Sequence, residues 1–210
     1  MEEGIKIAIY VHAFFGGLGL ITGIGSVMVK KGSKNHKKLG KLFSIGMVTS
    51  SLISMPISWM PNHESLFLFL MGLFTIYLVV SGNRGLTFKS KDNADWIDKA
   101  ISGSMLLAAA VMIFIGTYGI FNNVSNSILY LIFGGVGFLL SFRDFQFFKN
   151  FKTQKNSWLA NHAGKMIGAL IASVTAFITA GLGYSTLISW TLPSIIGTVY
   201  IIYWIRKVKE

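Results

Sequence analysis

At 210 residues, with 52% hydrophobic and only 13% charged residues and a mean hydropathy of +0.59, the composition excludes an ordinary soluble globule. Nineteen Lys and Arg against eight Asp and Glu give a formal charge of +11, which would suggest nucleic acid only if the cations formed a stripe on a soluble fold. The absence of cysteine excludes disulfides, thiolate metal sites and thiol catalysis.

The apolar residues fall in blocks of about 20, the length a helix rising 1.5 Å per residue needs to cross a ~30 Å hydrocarbon core. Seven such blocks are legible, roughly 7–29, 42–60, 66–81, 100–121, 128–142, 159–184 and 187–205. They are continuously apolar rather than alternating with period two, which excludes a transmembrane barrel. The fold expected is an all-α membrane protein: one domain over residues 1–210, built as a bundle of seven transmembrane helices.

The first block follows MEEGIK, which lacks the basic region and cleavage site of a secretory signal, so it reads as a retained anchor. It carries His12 near its start and Gly19-x-x-x-Gly23 further on. Behind it, KKGSKNHKKLG reads as a lysine-rich loop holding His36. His63 falls in the short loop PNHES after the second block. Gly134-Gly135-x-Gly137, inside the fifth block, reads as helix packing rather than phosphate binding. His162 opens the sixth, followed by Gly164-x-x-x-Gly168-x-x-x-Ala172. In lipid, helices associate through close backbone approach, so the small-residue faces of the first and sixth blocks are expected to be seams and those two helices central. Lys165 is expected to snorkel towards water.

Eighteen of the nineteen cations lie in four segments, 30–41, 84–99, 143–165 and 206–209, and with the four acids inside them and Glu210 directly after the last the sum is +13. The opposite side holds Lys6, Glu2, Glu3 and Glu64, giving −2. By the positive-inside rule the N-terminus is outside and the C-terminus cytoplasmic, in the cytoplasmic (inner) membrane of a bacterium. The charge then reports topology, with the bilayer as partner, anionic lipid headgroups against the cytoplasmic loops, and no nucleic acid. Trp59 and Trp190 at expected outer ends, and Trp96, Trp158 and Trp204 at inner ends, agree with interfacial anchoring.

Ionisable groups near a bilayer are the natural functional candidates. From His12 to Val29 is about 26 Å of helix, so His12 and His36 lie on opposite faces. Haem uses paired histidines, and pairs of His12 with His63 outside and His36 with His162 inside would carry electrons across the membrane. The weakness is that His36 and His63 read as loop residues, whereas axial ligands are best held on rigid elements. Alternatively His36, His162 and Asp144 could hold zinc with an open position for a water, as in a membrane hydrolase acting on a lipid or small amide. The remaining inner-face groups, Arg84, Asp98 and Arg143, suggest ion pairs of Arg84 and Arg143 with Asp98 and Asp144, or lipid-phosphate contacts. A small-solute transporter or non-catalytic lipid-binding bundle is the third reading. Zincin, serine-hydrolase and P-loop motifs are absent.

The pattern of His12 with Gly16, His36-Lys-Lys-Leu-Gly40-Lys-Leu-Phe43 with Met47, Gly82-Asn-Arg84, Arg143-Asp144, His162-x-x-x-Met166 and Trp190-x-x-Pro193-x-x-x-Gly197 resembles a large family of bacterial integral membrane proteins known only as a domain of unknown function. The resemblance implies a compact helical bundle and singles out His12, His36 and His162. It matches no family histidine to His63 and implies no reaction.

Overall fold

The computed structural model describes residues 2–210; the side chain of Glu2, counted above with the outer charges, lies outside what it describes. Seven helices run in sequence: α1 (Glu2–Met28), α2 (Lys34–Ile57), α3 (Leu66–Gly85), α4 (Trp96–Phe121), α5 (Ser127–Asn150), α6 (Ser157–Ala176) and α7 (Leu187–Lys209). All seven are long and apolar enough to cross a membrane, and no strand occurs among the described residues. A 3₁₀ turn, Leu86–Lys89, extends α3, and a π-helical turn, Phe177–Gly181, extends α6.

Several helices outrun their apolar blocks at the end of the bundle where the cations gather, called here the basic end. Hydropathy marks the part that crosses hydrocarbon, whereas caps mark where a helix starts. Gly32 turns the chain with φ +77°, and Ser33 then caps α2, its Oγ accepting from the His36 backbone N–H at 3.2 Å. His36 is therefore in the first turn of a helix, not in a loop as its lysine-rich surroundings suggested. Asp95 caps α4 in a reciprocal box with Asp98, each carboxylate accepting from the other's backbone N–H.

Three consecutive helix pairs, α1/α2, α4/α5 and α6/α7, surround α3, which borders α2, α4 and α6 and is the most buried helix. The expected seam on α1 exists, but it faces α2. A Cβ placed on Gly46 would lie 2.8 Å from the Gly19 nitrogen and the Phe15 carbonyl oxygen, so α1 and α2 touch backbone to backbone. On α6, Gly168 faces Leu78 of α3 and Gly164 faces Ile201 and Ile205 of α7. The central helix is thus α3, not α1. Gly134 and Gly137 pack against Met112 and Met105 of α4, as a packing role requires.

The core lies around α3. Phe67, Phe133 and Trp190 meet edge to face with centroids 5.1–5.9 Å apart, and Phe74 and Tyr77 continue the aromatic column towards the basic end. Trp190, 7% exposed, is a core residue rather than an interfacial anchor. Trp59 and Trp96 remain exposed.

Candidate functional site: a histidine cavity beside a buried ion pair

The basic end gathers three groups of side chains. The first is a cavity of about 730 Å³ between α1, α2, α3, α6 and α7, within the usual range for small-molecule sites. His36 and His162 both line it. His36 Nδ1 lies 3.0 Å from the Ser26 carbonyl oxygen, and His162 Nδ1 lies 2.8 Å from that of Gly82. A carbonyl only accepts, so each Nδ1 carries the proton and donates, leaving the Nε2 lone pair free to bind. Both carbonyls belong to last turns of helices, where partners are short. At the end of α3 the Leu86 N–H bonds the Asn83 carbonyl, one residue on from Gly82.

The walls of this cavity include Phe43, Trp158, Met166, Leu170 and Trp204. Its basic rim carries Lys31, Lys37 and Lys41, and no Asp or Glu lines it. Lys31 donates to the Val27 and Ser26 carbonyls and stands 5.1 Å above the Trp204 ring; partial burial pulls its ammonium below the usual lysine range. Trp204 Nε1–H is enclosed and is the one side-chain polar atom so enclosed without a partner among the described residues.

The second group is buried where α3, α4, α5 and α6 meet. Lys165, 6% exposed, pairs with Asp144 Oδ2 at 2.8 Å, and the same oxygen accepts from Tyr77 Oη at 2.6 Å and Ser102 Oγ at 2.9 Å. Lys165 Nζ also contacts the Tyr77 hydroxyl. Lys165 therefore does not snorkel. Gly82 admits it, since a Cβ there would lie 2.9 Å from the Lys165 Cβ, and with Asp144 within reach the ammonium is paired inside rather than hydrated. Spacing gave no sign of this four-residue cluster, because its members come from four helices. The one available signal was Lys165 inside an apolar block, with Asp144 two residues past the end of another.

The third group sits where α3 leads into α4. Arg84 Nε donates to Asp98 Oδ1 at 2.6 Å and Nη2 to Asp95 Oδ2 at 2.7 Å, while Lys91 Nζ bridges both acids at 2.8 and 2.6 Å. Lys91, then the Asp98 N–H and Arg84, hold the Asp95 carboxyl well below the usual carboxylate range. Arg84 pairs with Asp98 as expected, but Arg143 is exposed, and the partner of Asp144 is Lys165.

These placements sort the candidate ligands. Asp144 is occupied by three donors, and no group of three His, Asp or Glu placed to hold a metal occurs among the described residues. The set of His36, His162 and Asp144 is not assembled. His12 is a full span away, its Nδ1 2.9 Å from both the carbonyl and the hydroxyl oxygens of Ser50. His63 is exposed in a turn and makes no side-chain hydrogen bond among the described residues. A cavity at that end, about 790 Å³ and lined by residues including Tyr118, Tyr130 and Trp190, includes neither. Between α1 and α6 the packing is close at Gly23, where a Cβ would lie 2.7 Å from the Phe43 ring and 2.8 Å from Leu170, and these three residues line the inner part of the basic-end cavity.

No protein-family model, no curated protein and no solved structure matches this chain.

Proposed function

We propose that this chain binds one b-type haem in the basic-end cavity, with His36 and His162 as axial ligands, and passes electrons at that face of the membrane. The observation that carries the reading is that two histidines on different helices line one apolar cavity with each Nδ1 tied to a carbonyl. Such a bond fixes the tautomer and ring orientation of a ligating imidazole. Helices α2 and α6 supply rigid supports, and the aromatic and aliphatic walls suit a porphyrin face. Haem would supply the one-electron chemistry; the protein holds the ring, excludes water and fixes the two lone pairs. By its positive charge the basic end faces the cytoplasm, in a bacterial inner membrane, with its exposed lysines against anionic headgroups.

The reading places one haem only, at the basic end, because His12 and His63 share no cavity comparable to that of His36 and His162 among the described residues. Purified protein expressed with haem should show the Soret band and low-spin spectrum of bis-histidine haem. His36→Ala and His162→Ala should each lose that spectrum, and His12→Ala should keep it. A colourless preparation that takes up no haem, or a spectrum indifferent to both substitutions, overturns the reading. Zinc retained at one per chain and lost in His36→Ala would support the hydrolase instead.

A further inference from the structure

The cavity is asymmetric in charge, and this bears on which end of a ligand goes where. Three cations, Lys31, Lys37 and Lys41, line it at the rim, and no carboxylate does. Lys37 and Lys41 are four residues apart on α2, so they project from one helix face about 6 Å apart. Among the described residues neither forms a salt bridge, whereas Lys91, Lys152 and Lys165 all do. Lys31 uses its hydrogens on the end of α1 but leaves its charge at the rim. On the same wall, the enclosed Trp204 Nε1–H lacks an acceptor among the described residues. An enclosed donor without a partner is costly, and an acceptor on a bound molecule would satisfy it. Below the rim the lining turns apolar, with Phe43, Met166 and Leu170.

We infer that the cavity selects an amphipathic dianion, its apolar body inside and its two carboxylates at the rim, received by Lys37 and Lys41, with Trp204 Nε1–H donating to the ligand's polar edge. This rests on the porphyrin reading for the shape of the body, but the rim's demand for carboxylates is independent of iron and of the histidines. For haem, Lys37 and Lys41 would receive the propionates, and Phe43, Met166 and Leu170 would receive the apolar part of the ring. Recognition is electrostatic at an exposed rim, so it weakens with salt.

The test separates the two readings. Protein in zwitterionic-lipid nanodiscs is titrated with four probes: haem, haem dimethyl ester, metal-free protoporphyrin IX and its dimethyl ester, followed by absorbance and porphyrin fluorescence. Free acids should bind more tightly than their esters with or without iron. The Lys37→Gln/Lys41→Gln double variant should lose most of that preference, about fivefold per lysine, the upper value for an exposed ion pair, while keeping the low-spin spectrum with haem. Trp204→Phe, which keeps the ring and removes the donor, should weaken the free acids. If acids are preferred but iron and His36→Ala make no difference, the histidine reading fails and the dianion site stands. Equal affinity of acid and ester in the wild type, or a preference untouched in the double variant, overturns the dianion site. So does displacement of the porphyrin by added phosphatidylglycerol, which would assign the rim to a lipid headgroup.

Discussion

Replacing Lys165 by Met should be the most damaging single change in the bundle. Asp144 is 4% exposed and Lys165 6%, so the substitution strands a carboxylate with two neutral hydroxyl donors and no counter-charge. Breaking a buried pair from one side costs about 3–5 kcal/mol, because the surviving charge is neither hydrated nor compensated. Asp144→Leu should cost a similar amount. The double variant removes both charges but leaves the Tyr77 and Ser102 hydroxyls without their acceptor, a penalty of about 1–3 kcal/mol each. Adding Tyr77→Phe and Ser102→Ala removes that penalty, and the quadruple variant should match or exceed the wild type, since apolar replacement of a complete buried pair is often neutral or stabilising. Reversible unfolding in mixed micelles, followed by helical circular dichroism, measures the series. Single changes costing under about 1 kcal/mol, as for a solvated surface pair, or a double variant worse than the sum of its singles, would refute the account of this cluster as a closed, dry pair.

Three further outcomes follow from the geometry. Gly46→Val should loosen α1 from α2 by about 1–3 kcal/mol in the same unfolding assay, because its neighbours at 2.8 Å are backbone atoms that cannot rotate away. Gly82→Ala should weaken haem binding with unchanged helix content, since its methyl would press the Lys165 Cβ and the Met166 sulfur and so displace the His162-bearing helix; Gly135→Ala, with nothing within 4 Å, is the control. Asp95 has a folded pKa below its unfolded one, so its contribution to stability is present above the ordinary carboxylate range and is lost as pH falls below about 4. In Asp95→Asn that acid-side loss should shrink, read from melting temperature against pH, while the profile above pH 5 keeps its shape.

Much of the architecture was legible because hydropathy over a bilayer's thickness is a strong constraint: all seven apolar blocks became helices. Helix starts at the basic end were less legible, since Ser33 and Asp95 cap turns that hydropathy counts as loop, and this misplaced His36. The pairing of His36 with His162 was accessible from topology alone, as both belong to the same face. Tyr77 was not, because a tyrosine in an apolar block looks the same whether it meets lipid or a carboxylate. The partner of Asp144 was misjudged for a related reason. Arg143 is its neighbour in sequence, but adjacent residues on a helix point apart, and a lysine on another helix filled the place. Small-residue spacing marked seams correctly without saying which helix lay across them.

The thin attachment of α7 sets how the histidine cavity communicates with its surroundings. This helix packs on α6 and buries the least of the seven, yet Trp204 on it forms part of the cavity wall. The cost of parting a wall scales with the contacts it must give up, so opening at α7 is expected to cost less than opening the α3 core. A greasy molecule dissolved in the acyl chains would meet that side directly. For such a ligand, uptake from the membrane plane would then vary with the lipid that surrounds α7.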